Sequence, residues 1–147
     1  MKKIILAMLI ASATFFVGCR KDGEIINHQP AQSCNSFQAY DSLTSATKLI
    51  GTWKLISVYN PWTNTTSLPD RTVLVTFYSD GTFYETENSV VSANGNWHLQ
   101  DAAGSGLGII TSVPCFRVSG TLSFCSQQAL FFTGFIDGPV HLFEKIL

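Results

Sequence analysis

Four cysteines, at positions 19, 34, 115 and 125, and three histidines, at 28, 98 and 141, are the side chains of this 147-residue chain best suited to thiol, redox or metal chemistry. The histidines lie far apart and have no ligand spacing, so they read as solvent-facing or hydrogen-bonded rings, and no metal is expected. Glu85 and Glu87 are two apart on one strand face and invite an acid–base reading. Adjacent acids on one face of a strand are ordinarily its solvated side, and they are read that way. No nucleophile elbow, phosphate loop or zinc motif occurs in the chain. No catalytic residue and no cofactor are therefore expected, and binding is a better expectation than catalysis.

Cys19 differs from the other cysteines in its surroundings. Met1-Lys2-Lys3 is a short basic start, Ile4 to Val17 is an apolar run broken only by Ser12 and Thr14, and Gly18 precedes the cysteine. That is the pattern of a secretory leader, and it is too short for a membrane-spanning helix of about 20 residues. Phe16-Val17-Gly18-Cys19 resembles a bacterial lipobox, which implies cleavage before Cys19 and acylation of that residue. Several acyl chains give stable anchoring without a span, so the expected location is a membrane surface. Lys21-Asp22 just after Cys19 resembles a surface-export signal of Bacteroidetes lipoproteins. Cleavage would remove Lys2 and Lys3 and no acid from nine basic and ten acidic side chains, leaving a net charge near −3. Such a chain has no electrostatic reason to bind nucleic acid.

Residues 19–50 read as a lipidated tether followed by a short helix. Asn, Gln, Ser and Pro dominate from Gly23 to Ser42, and Cys34 is expected to staple this segment to the domain. Asp41-Ser42-Leu43 matches a short bacterial O-glycosylation pattern at Ser42, but an ordinary helix cap is the favoured reading. Asp41 or Ser42 would cap a helix to about Lys48, with Leu43, Ala46 and Leu49-Ile50 on one side.

Residues 51–147 alternate in short segments, rich in the aromatic and β-branched residues that favour strands. Trp53, Leu55, Ser57 and Tyr59 share one face of the first. Arg71 to Tyr78 and Thr82 to Glu87 flank a tight Ser79-Asp80-Gly81 turn. After a turn at Ser92 to Gly95 come Asn96 to Asp101, Leu107 to Thr111, Ala129 to Ile136 and Val140 to Leu147. Phe116 to Phe124 is read as one strand because Phe116, Val118, Leu122 and Phe124 keep one parity; the alternative is a hairpin turn at Ser119-Gly120. Eight strands joined by short turns bury their faces by closing into an all-β, up-and-down antiparallel barrel.

Gly51-Thr52-Trp53 opening the first strand, the Phe77-Tyr78-Ser79-Asp80-Gly81-Thr82-Phe83 hairpin and Gly95-Asn96-Trp97 together resemble the small lipocalin-like domains of Bacteroidetes lipoproteins. The resemblance covers Leu49 to Leu147. It implies that Trp53 plugs the closed end of the barrel, with Lys145 the nearest candidate for the basic residue that lies across it. It places the Asn60 to Asp70 loop, with Trp62, at the open mouth. Tyr59, Phe77, Tyr84, Phe116 and Phe132 then either line a cavity for an apolar ligand or fill the interior themselves. Trp62 is either a lid residue or a pin on the barrel's outer wall.

The same frame bears on the three cysteines left after Cys19. If Phe116 to Phe124 is one strand, Cys115 and Cys125 lie about 33 Å apart at strand rise, far beyond the ~7 Å that a disulfide spans. Cys34–Cys125 is then the favoured pair, at the closed end; a turn at Ser119-Gly120 would instead set Cys115 opposite Cys125. The functional expectation is a membrane-anchored lipocalin-like lipoprotein of the outer membrane, periplasmic or surface-exposed, that binds a small hydrophobic or amphipathic molecule at the barrel mouth. The alternative is a non-catalytic envelope component with a filled barrel that docks onto another envelope protein.

Overall fold

The computed structural model of the chain describes residues 34, 36–102, 106–132 and 138–147. The expected leader, Cys19 and the tether up to residue 33 lie outside them. Among the described residues one helix, α1 (Ser42–Leu49), precedes nine strands: β1 (Gly51–Asn60), β2 (Thr65–Ser67), β3 (Val73–Phe77), β4 (Thr82–Glu87), β5 (Val90–Asp101), β6 (Leu107–Thr111), β7 (Gly120–Cys125), β8 (Gln128–Phe132) and β9 (Val140–Lys145). All pairings are antiparallel between neighbours, and β1 also pairs with β9 from Trp53↔Lys145 to Tyr59↔Val140, which closes eight strands into a barrel. Closure gives the first and last strands each a partner and removes the open edges of the sheet.

α1 caps as its sequence predicts. Asp41 is the N-cap, accepting the Thr44 N–H at 2.9 Å and its hydroxyl at 2.7 Å. Leu49 at the other end is fully buried. The helix therefore turns an apolar end onto the base of the barrel, where the Trp53 indole N–H donates to the Leu49 carbonyl at 2.7 Å.

Three strand expectations need correction. The loop after β1 contains β2, which pairs as Val58↔Ser67, Tyr59↔Thr66 and Asn60↔Thr65. β5 starts at Val90, so Ser92 to Gly95 is strand and the turn falls earlier, at Asn88 and Ser89, both with positive φ. Gly95 is needed for space in mid-strand rather than for turning: a Cβ there would meet the Ser112 hydroxyl and Phe83. Phe116 to Phe124 is neither one strand nor a hairpin turning at Ser119-Gly120. The Cys115 carbonyl accepts the Val118 and Ser119 N–H groups at 3.2 and 3.0 Å, coiling this stretch into a turn, and β7 begins at Gly120 with φ 130°. The unbroken parity through Gly120 thus arose without a continuous strand. β8 runs to Phe132, and the rest of the expected strand to Ile136 lies outside the described residues.

The lower half of the barrel is filled. Phe77 stacks on Phe83 and Phe131 and meets Trp97 edge-on, Phe131 meets Phe143, and Trp53 packs on Phe124, all with ring centroids 5.3–6.4 Å apart. Aromatic pairs in such geometries add to the burial that drives the core together.

Candidate functional site

The strand ends opposite α1 form the mouth, and charge enters the interior there. On β4 the buried positions alternate from Phe83 to Glu85, with Glu87 next on that face, so both carboxylates point inward and not to solvent as expected. Glu85 is 4% exposed and its oxygens are fully engaged. It accepts the Arg117 guanidinium at 2.7 Å, the Ser92 hydroxyl at 2.9 Å and the Cys115 thiol at 3.1 Å. Arg117 reaches on to Glu87 at 2.7 Å, and Glu87 is held from the other side by Arg71 at 2.9 Å. Cys115, Glu85, Arg117, Glu87 and Arg71 thus form one ladder across three mouth segments. The two carboxylates and two guanidinium groups cancel in charge, which is the condition for burying any of them.

The ladder fixes the protonation of its neighbours. Hydrogen bonds from Arg71 and then Arg117 hold the Glu87 carboxyl below the usual carboxylate range. Burial, reinforced by the Glu85 charge, pushes the Cys115 thiol up to about 12. It is therefore a protonated donor and no nucleophile at neutral pH. Burial and the nearby Arg117 charge bring His141, on the inner face of β9, down to about 4, so the ring is neutral at pH 7.

A cavity of about 560 Å3 opens beside the ladder. Its origin lies in the pairing of β1, which holds β3 only from Gly51↔Phe77 to Lys54↔Leu74 and then exchanges it for β2. The wedge left between β1 and β3 is lined by Leu55, Val58 and Val73 below and by Leu68 and Pro69 above, with Arg71, Glu87 and Arg117 along one wall. Val58 reaches it because of a bulge between Leu55 and Ser57 in the β1–β9 pairing. One extra residue reverses the parity of everything after it. Tyr59 therefore leaves the inner face, and its hydroxyl bonds Asn64 at 3.1 Å.

Of the five aromatics expected to line or fill the interior, the structure brings only Phe77 inside. Tyr84 is 45% and Phe116 80% exposed. Tyr84 alternates with the buried Phe83 and Glu85, and Phe116 is on the turn before β7. Phe132 alternates with buried Phe131 and is only half-buried. Trp62, in the turn between β1 and β2, is 73% exposed. At the closed end Trp53 is buried, with the Lys145 ammonium 5.3 Å from its ring while donating to the Lys48 carbonyl at 2.9 Å. Cys34 and Cys125 form a disulfide with Cα atoms 5.8 Å apart, and Cys115 is free and buried. The ladder itself was missed. Phe83, an aromatic on the same strand face as Glu85 and Glu87, was the available signal that this face turns inward.

Among the described residues no group of three or more His, Cys, Asp or Glu side chains could hold a metal ion, and no helix is long and apolar enough to cross a membrane. Compared with protein-family models, with curated proteins and with solved structures, the chain matches none. What the molecule does must be argued from the barrel and its mouth.

Proposed function

We propose that this chain is an exported, lipid-anchored lipocalin-like protein of the outer membrane that binds a small amphipathic molecule at the barrel mouth and catalyses no reaction on it. The observation that carries this reading is the cavity of about 560 Å3 in the wedge between β1 and β3, within the range of small-molecule sites. Its walls divide by chemistry. Leu55, Val58, Leu68, Pro69 and Val73 offer an apolar surface, and Arg71, Glu87 and Arg117 offer donors and acceptors on one side. An amphipathic ligand satisfies both, whereas a wholly apolar one would strip water from charges and return nothing to them. The aromatic packing below Leu55 leaves the ligand in the upper half. Binding over catalysis is favoured by the protonated thiol of Cys115 and the fully engaged oxygens of Glu85, neither of which is poised to react. The test is native mass spectrometry of the full protein extracted from its own membranes. A defined adduct that is lost in the cavity-filling variant Val58→Phe is expected; consistently empty protein would overturn the reading.

A further inference from the structure

The cavity between β1 and β3 has four charged side chains on its wall, Asp70, Arg71, Glu87 and Arg117. The head group that a ligand can bring there depends on how much of their hydrogen-bonding capacity is already spent. Arg117 is spent: its Nη1 donates to Glu85 and its Nη2 to Glu87, both at 2.7 Å, so one cation answers two carboxylates. Glu87 is spent as well, since one of its oxygens accepts from Arg117 and the other from Arg71. A cationic head would therefore find only Asp70, whose side chain is 90% exposed and keeps its own water.

Arg71 is different. Its Nη1 donates to Glu87 at 2.9 Å, but among the described residues its Nε and Nη2 make no hydrogen bond. The Asp70 Oδ2 lies 3.9 Å from Nε, too far for one. Nε–H and Nη2–H form one edge of the guanidinium plane, a pair of parallel donors spaced to meet the two oxygens of a carboxylate. The backbone fixes where that edge stands. The next residue, Thr72, donates its N–H to the Asn88 Oδ1 at 3.0 Å and accepts the Asn88 N–H at 2.8 Å. Arg71 is thus pinned to the turn between β4 and β5, with half of its fork unused on the cavity wall.

We infer that this edge of Arg71 receives the head of the ligand, that the head is a carboxylate, and that Asp70 is the competitor it displaces. The inference rests on the binding reading given above and adds the ligand's chemical class. The charges of the ladder decide its sign and size. Two carboxylates and two guanidinium groups already cancel, and Asp70 is a further carboxylate with no cation within hydrogen-bond reach. An exposed pair at that distance is worth little, so Asp70 gives way to a ligand carboxylate and returns to water at small cost. The charge facing Arg71 is then the same before and after binding. A phosphate head carrying two negative charges would set one of them unanswered beside Glu87. With its head on Arg71, the ligand lays its apolar tail against Leu55, Val58 and Val73, where burial supplies the rest of the affinity.

The experiment titrates the full protein, held in phosphatidylcholine vesicles, with decanoate labelled with carbon-13 at its carboxyl. Only a carboxyl resonance that protein-free vesicles lack counts as bound, and decanol, decylamine and decyl phosphate are added as competitors. Decanoate is expected to bind, with each competitor needing about tenfold more to displace it. Arg71→Gln should weaken decanoate by about tenfold while leaving decanol within about twofold, a split that a loosened cavity would not give. Arg71→Lys, which keeps the charge but not the fork, should recover only part of the loss. Asp70→Asn should tighten decanoate by about two- to threefold and leave decanol unchanged. Decanol, decylamine or decyl phosphate binding as well as decanoate would overturn the carboxylate assignment and leave the binding reading standing. So would an Arg71→Gln variant that weakens decanoate and decanol alike. Failure of all four probes to bind would overturn the binding reading and this inference together.

Discussion

Glu85 is the residue on which the mouth depends, because a carboxylate that far from water persists only while its partners do. Replacing Arg117 by Met would leave Glu85 buried beside a thiol and a hydroxyl, with no positive charge. Urea unfolding of Arg117→Met should show a loss of about 3 kcal/mol, and the double variant Glu85→Leu/Arg117→Leu should recover most of it, because no orphan charge remains. His141 sets the acid response. Its ring takes a proton near 6.5 when unfolded but only near 4 when folded. Between those values the unfolded state binds more protons, so stability falls as pH drops from 6.5 toward 4, by up to about 3 kcal/mol. A His141→Gln variant should flatten the stability curve across that window. Glu87, whose folded pKa is depressed, stabilises above the ordinary carboxylate range, and that contribution is lost on further acidification.

At the scale of elements, two joints hold the closed end. The first is Gly51, at φ 127°, where a Cβ would strike the backbone of Leu147 and the Lys145 side chain. This explains why a glycine precedes Thr52-Trp53: β1 must enter the barrel close against the end of β9 to set Trp53 over the base. The second is the Cys34–Cys125 disulfide, with a sequence separation of 91, which together with the Gln38↔Phe124 bridge ties Cys34 and Gln38 to the end of β7. Cys34→Ser should lower unfolding free energy by about 2–4 kcal/mol, measured by denaturant titration. It should also expose residues 34–40 to protease before the barrel itself is cut.

For the whole molecule, the decisive contact is between its first and last strands. Ending the chain at residue 139 removes β9 and leaves β1 and β8 with open edges and a breached aromatic core. Such a chain should lose its β circular-dichroism signal or elute from size exclusion as aggregates, since exposed edges recruit other strands. The closed barrel, its short capping helix and the inward Trp53 were legible in the sequence, because period-2 alternation, tight turns and a Gly-x-Trp motif are local signals. Tyr59 and Phe116 were misread because their facing depends on single-residue events, a bulge after Leu55 and a coiled turn after Cys115, that alternation cannot detect. Tyr84 and Phe132 each stand beside a second aromatic, Phe83 and Phe131, and alternation does not say which of the two faces turns inward. Composition and order along the chain therefore determined that strands would form and close. Which carboxylates went inside, and that Arg117 would meet Glu85 from 32 residues away, was decided only in three dimensions. A buried charge is selected by the partner that neutralises it, and that partner becomes a neighbour only when the ring shuts.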